Sequence, residues 1–200
     1  MNEVGSKFKV LAPQSNLQNE NGISMKEAYR IAIEEVVKDN PHALLYSISS
    51  TNSIKNPEDI TAGKFGLRKY WNLIFTEPNT TDYWLVFIRN KRIKEIVKVI
   101  GSSMNETDLI ENMDSLINSN EALRIAKEDY KLKPGEGWAI GYHFTLNRIS
   151  GDIIIQVFGR DSHDNFTKIS INAKTNEVMD AIHKVTHDGV TYNWEVFNKP

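Results

Sequence analysis

Apolar residues fall at helical spacing in two places. Ala28, Ile31, Ala32 and Val36 form one stripe, and Ala122, Ile125 and Ala126 form another. Each stripe follows a helix-start signal. Ser24 stands three residues before Glu27, and Asn118 three before Glu121. A Ser or Asn oxygen accepts the free N–H at the third helical position, and the Glu reaches back to the N–H of the cap. Two helices are therefore predicted. The letters around them recur: Glu27-Ala28-Tyr29-Arg30-Ile31-Ala32 returns as Glu121-Ala122-Leu123-Arg124-Ile125-Ala126, an internal repeat.

Elsewhere the period is two, as in half-buried strands. Tyr70–Phe75 and Trp138–Phe144 read as the first strand after each helix; in the latter Trp138, Ile140, Tyr142, Phe144 and Leu146 alternate with smaller or polar residues. Turns follow at Asn79–Asp82 and Asn147–Asp152, then second strands at Asp82–Phe87 and Asp152–Phe158. Lys168–Asn172 alternates, turns at Ala173–Asn176 and resumes at Glu177–Met179. Ile93, Ile96, Val97 and Ile100 also fit helical spacing, but their β-branched content and the repeat favour a strand. Asn105–Ile117 reads as a linker helix, with Leu109, Met113, Leu116 and Ile117 on one side. Asp188-Gly189 marks a C-terminal hairpin whose second arm alternates Val190, Tyr192, Trp194 and Val196. Residues 50–66 read as a long loop. The organisation expected is a polar tail over 1–22, in which Phe8, Val10 and Leu11 could form a short edge strand; a first unit over 23–103; and a linker helix, second unit and hairpin over 104–200.

Composition narrows the classes. Of 200 residues, 25% are charged and 40% hydrophobic, which is globular rather than disordered. A net charge of −2 gives no bulk electrostatic case for nucleic acid or an anionic membrane. Cysteine is absent, which removes disulfides, Cys-ligated metals and thiol catalysis. No apolar run approaches the ~20 residues of a membrane-spanning helix. The start, Met1–Phe8, lacks the apolar core of a signal peptide. A cytoplasmic setting is expected for the chain as given, and an extracytoplasmic one if an export signal has been trimmed from it.

A helix, an aromatic strand and a meander closing on an Asp-Ala-x-Thr-Gly-Glu-[Ile/Val] turn resemble the PepSY domain. Asn118 to Val185 carries the likeness, through Glu121-Ala122, Ile125-Ala126, Trp138 and Ile171-Asn172-Ala173-Lys174-Thr175-Asn176-Glu177-Val178. Asn172 replaces the usual Asp and Asn176 the usual Gly; Asn tolerates the left-handed conformation that the Gly supplies. The first copy keeps the helix and strands without this turn. The resemblance implies an α+β fold of two tandem helix-plus-antiparallel-sheet repeats, cystatin-like. It also implies a non-catalytic protein- or peptide-binding module, bacterial in type, that restrains or regulates a peptidase.

The chemistry-bearing residues have bland readings beside the sharp ones. His183 and His187, four apart, would share a metal on a helix, but on a strand they lie ~13 Å apart. Asp161-Ser162-His163-Asp164 gathers carboxylates and an imidazole, yet lacks the Gly and distal Glu of a calcium loop. His143 has no nucleophile motif beside it and belongs to a polar sheet face. Gly135-Glu136-Gly137 precedes a strand, so it makes no phosphate cradle. Arg89, Lys91, Arg92, Lys94 and Lys98 form a small basic cluster, read as a solvated edge. No catalytic residue, metal ligand or cofactor is assigned.

Four Trp, seven Tyr and eight Phe are generous for this length. In Tyr83-Trp84-Leu85-Val86-Phe87-Ile88 both faces are apolar, which predicts cover by the other repeat or by a second chain in a homodimer. Tyr83 and Trp84 are the candidate partner-binding residues. The function expected is binding of a protein or peptide by a sheet face or an open sheet edge. The alternative is a small-ligand-binding protein with an apolar pocket between helix and sheet. A flat exposed aromatic patch favours the first, an unfilled aromatic pocket the second, and a cavity joining a histidine to a carboxylate would mark an enzyme.

Overall fold

Ser24 opens the first helix as its spacing predicts. In the computed structural model, which describes residues 22–52, 62–187 and 191–199, helix α1 spans Met25–Asp39. The Ser24 hydroxyl accepts from the Glu27 N–H, and the Glu27 carboxylate accepts from the Ser24 N–H at 2.8 Å. Helix α2 spans Ser119–Tyr130 and its cap is Asn118. Here the reciprocal box predicted with Glu121 does not form. The Asn118 side chain accepts from Ser119 N and Lys26 N, and Glu121 turns to Arg124.

The two helix starts thus share their caps. The Ser119 hydroxyl accepts from Met25 N at 3.0 Å and donates to the Gly66 carbonyl at 2.6 Å. The first N–H groups of a helix have no partner within it, and here α2 supplies two oxygens to α1.

The strands are β1 (Leu44–Ser50), β2 (Tyr70–Thr76), β3 (Asp82–Arg89), β4 (Arg92–Ile100), β5 (His143–Ile149), β6 (Asp152–Arg160), β7 (Phe166–Asn172), β8 (Val178–His187) and β9 (Thr191–Val196). They form one antiparallel sheet in the order β4-β3-β2-β1-β5-β6-β7-β8-β9. The centre is a short pairing of β1 with β5: Ser47 opposite Asn147, Ile48 opposite Leu146, Ser49 opposite Thr145. Two hairpins turn on left-handed residue pairs, Asn90-Lys91 and Ser150-Gly151, whose twist suits neighbouring strands.

One face of the sheet carries the core. Ala28, Ala32 and Val36 of α1 and Ala122, Ile125 and Ala126 of α2 are buried in the same cluster as Trp71, Leu73, Phe75, Val86, Phe144, Leu146, Ile155, Val157 and Ile169. The small alanines let the helix backbones lie close to the sheet. Trp71 is fully buried, stacks on Phe144 at 6.2 Å and donates its indole N–H to the carbonyls of Ile23 and Arg68.

Three expectations need correction. First, Trp138–Phe144 is not a strand. Residues 137–139 form a helical turn and β5 begins at His143. A segment from the β1–β2 connection lies against this stretch: Ala62 O accepts from Tyr142 N at 2.8 Å. Gly141 permits it with φ +81; a Cβ there would stand 2.1 Å from Ala62 O. Second, β1 lies ahead of the predicted long loop, so Tyr70–Phe75 is the second strand after α1, not the first. A bulge between Leu45 and Ser47 breaks its alternation. Third, residues 105–117 contain no α-helix. Short 3-10 turns at Glu106–Asp108 and Met113–Ser115 flank extended backbone whose N–H groups at Ile110 and Ile117 bond Leu45 O and Ala173 O. Asn112 takes the Asp114 and Ser115 N–H groups, a local alternative to a helix. The β4 strand and the C-terminal hairpin arms form as expected, while the Asp188-Gly189 turn and the tail over 1–21 lie outside the described residues.

Ser119→Ala leaves the buried Met25 N–H and Gly66 carbonyl without their shared hydroxyl. A loss of about 1–2 kcal/mol is expected, read as a lower urea midpoint at unchanged slope.

Candidate functional site

The open face of the sheet is built by the side chains that alternate with the core. Its central rows are polar: Ser49, Asn72, Thr145, Gln156 and Ser170 lie along one cross-strand line. The aromatic run lies toward the β9 edge. Phe158 on β6 stacks on Phe166 on β7 at 6.0 Å with 19° between the rings, and Phe166 meets Trp194 on β9 at 6.0 Å. Ile182 pairs with Val196 beside it. Lys168 places its ammonium 5.5 Å from the Trp194 ring. Trp194 is 48% exposed and Val196 71%.

Among the described residues, no strand pairs with the outer edge of β9. The opposite edge, β4, is exposed too but carries Arg92, Lys94, Glu95 and Lys98, the charged side chains that deter edge pairing. The basic cluster of the sequence therefore lies on and beside this edge strand. Lys98 bridges Asp82 at 2.7 Å and lies over Trp84.

Tyr83 and Trp84, the expected partner-binding pair, are each 7% exposed. Trp84 faces the helices within the core cluster. Tyr83 meets Tyr46 edge-on at 6.3 Å and donates to the Ser102 carbonyl at 2.5 Å. The side chains that present aromatic surface are instead Phe158, Phe166 and Trp194. Their signal in the sequence is phase: Phe158 is apolar at the positions of Gln156 and Arg160, out of step with Ile155 and Val157.

His143 sits at the start of β5 in a polar cluster. Its Nε2 faces the Asn52 amide at 3.2 Å and the Arg68 guanidinium at 3.5 Å, while Nδ1 faces the Ser50 carbonyl at 3.4 Å. Two donors at Nε2 place the ring proton on Nδ1. Burial and then the neighbouring Arg68 charge push the imidazole pKa down to about 4. Arg68 is fully buried and donates to the carbonyls of Thr51, Ile140 and Tyr142 and to the Asn52 side chain. The cluster thus ties the β1–β2 connection to the entrance of β5.

Asp161 and His183 do meet, at 2.6 Å. Asp161 is buried, and its carboxylate accepts from the backbone N–H groups of His163 and Asn165 and from the Asn165 amide. Burial works to raise its pKa, but His183 and these donors hold it below the ordinary value. His183 lies against Phe197 at 5.2 Å. The pair organises the β6–β7 turn and its contact with β8. Among the described residues, no three His, Asp or Glu side chains gather in a geometry for a metal ion. Gly135 pairs with Gly141 in a loop, and no helix follows it within reach of a phosphate.

The depressed pKa of His143 sets an acid limit. The unfolded imidazole takes its proton near 6.5 and the folded one near 4. Stability is therefore whole above about pH 6.5 and falls with acidification toward pH 4, by up to about 1.4 kcal/mol per pH unit. His143→Gln should flatten this part of the slope, measured by urea unfolding at pH 4.5 and 7.

No family model matches the sequence, and no curated protein matches it. Among solved structures, the fold is similar to that of a putative lipoprotein from Clostridium difficile 630, with a TM-score of 0.52 and 12% identity over 78% of this chain and 91% of that one. At this identity the likeness is one of fold: a mixed α/β chain with a large antiparallel sheet and two helices.

Proposed function

We propose that the chain is a non-catalytic binding module that takes an extended peptide segment of a protein partner along β9. The observation that carries this is the exposed Trp194 and Val196 beside an outer edge with no described strand on it. An extended segment supplies backbone partners for that edge and side chains for the aromatic run, the two halves of strand addition. Trp anchors of this kind dominate interface energies. The chemistry beside them is poor in reacting groups: the neutral His143 and the Asp161–His183 pair are both engaged in holding loops.

We read the chain as two PepSY-like copies, α1 with β1–β4 and α2 with β5–β8, joined where β1 meets β5. Supporting this is the common order of one helix and four antiparallel strands, with the two first strands adjacent. This alignment sets β1, not β2, against β5. On that reading a peptidase is the partner class to test after peptides of random sequence. No helix among the described residues is long and apolar enough to cross a membrane.

The test is panning of a displayed random peptide library on the whole protein, followed by affinity measurement with synthetic peptides. Enriched peptides should bind Trp194→Ala at least tenfold more weakly while the variant keeps its circular dichroism spectrum. N-methylation of alternate peptide residues should abolish binding in one phase only, because one set of N–H groups faces the edge. Equal binding to Trp194→Ala, or indifference to N-methylation in both phases, overturns the proposal.

A further inference from the structure

A second concavity lies on the outer side of α2, away from the open sheet face. It has a volume of about 670 Å³ and is walled by α2 and by the turn of residues 63–66. Its apolar surface comes from Phe65, 42% exposed, and Leu123. Its rim carries Lys64, Arg124, Lys127 and Lys131 against a single carboxylate, Glu128. That carboxylate is engaged by Arg124, which also bridges Glu121 at 2.7 Å. Among the described residues, Lys64, Lys127 and Lys131 form no ion pair, so the rim holds an excess of three positive charges in a chain whose net charge is −2.

The walls are fixed. Gly66 has φ +76, and a Cβ there would stand 2.4 Å from Asn120 Cα, so the turn lies directly on the first turn of α2. The Ser119 hydroxyl bonds the Gly66 carbonyl, and Gly63 N donates to Leu67 O. Phe65 is therefore held out over the concavity by a backbone pinned on both sides of it. An exposed Phe costs solvation unless something covers it, and an unmatched cluster of lysines favours an anion.

We infer that this concavity binds a small organic anion, a carboxylate or phosphate head on an acyl or aromatic body. The head meets Lys64, Lys127 and Lys131, and the body lies on Phe65 and Leu123. The site is separate from the β9 edge and does not depend on the peptide-binding reading.

The experiment is a titration of the whole 15N-labelled protein, followed by amide shifts, with decanoate and decyl phosphate below their micelle-forming concentrations. Decanol supplies the body without charge, and inorganic phosphate the charge without body. Saturable shifts confined to residues 63–66 and 119–131 are expected with either anion, and the tighter of the two assigns the head. The Lys64→Glu, Lys127→Glu double variant should weaken binding at least tenfold, and so should raising sodium chloride from about 50 to about 500 mM. Equal affinity for decanol or for inorganic phosphate, shifts centred on Trp194, or an unchanged affinity in the double variant would each overturn the assignment.

Discussion

The arrangement depends on how the two helix starts are satisfied. Each helix begins with N–H groups that its own turns cannot accept. α1 meets one of these needs with its own Ser24, and takes two more oxygens from Asn118 and Ser119 at the start of α2. Because the Ser119 hydroxyl also donates to Gly66, the same side chain fixes the turn between β1 and β2. Two positive helix ends brought together would repel; oxygen atoms placed between them make the approach tolerable. Once the starts are joined, both helices must lie on the same face of the sheet, and the other face is left to solvent.

That division of labour explains the unequal character of the two faces. The helix side is continuous apolar packing from Val86 through Trp71 and Phe144 to Ile169. The opposite side is polar at its centre and aromatic near β9. The two edges differ in the same sense: β4 is guarded by alternating charge, whereas β9 places Trp194 and Val196 at its margin. A protein that only had to stay folded and dissolved would gain nothing from that difference.

Local signals were readable where the chain obeys one period. Ser24 with Glu27, the alanine stripes, and the alternation of Lys168–Asn172 each specified their element without help. The misreadings share a cause: backbone partners supplied from far away in the chain. Asn105–Ile117 has helical spacing, but its N–H groups go to Leu45 and Ala173. Trp138–Phe144 alternates, but Ala62 and two glycines turn it away from the sheet. β1 was hidden because Tyr46 sits in a bulge and serines occupy three of its seven positions. The candidate site was legible only in part. Aromatic abundance announced a surface worth examining, yet which rings faced outward depended on strand phase, and the pair read as anchors, Tyr83 and Trp84, packs inward. The Arg68 cluster and the concavity beside Phe65 bring together residues too distant in sequence for spacing to relate.

The short β1–β5 pairing bears on how the chain is made. Every other pair of adjacent strands consists of neighbours in sequence, so each can close as soon as it is synthesised. β1 must wait for β5, half a chain length later. Until then a growing polypeptide that has already formed β1–β4 holds out the free edge of β1, with Ser47, Ile48 and Ser49 unpaired. An edge in that state is a template for another copy on the same message. The serines and the bulge that blur β1 in the sequence are the features that make it a poor template during that interval.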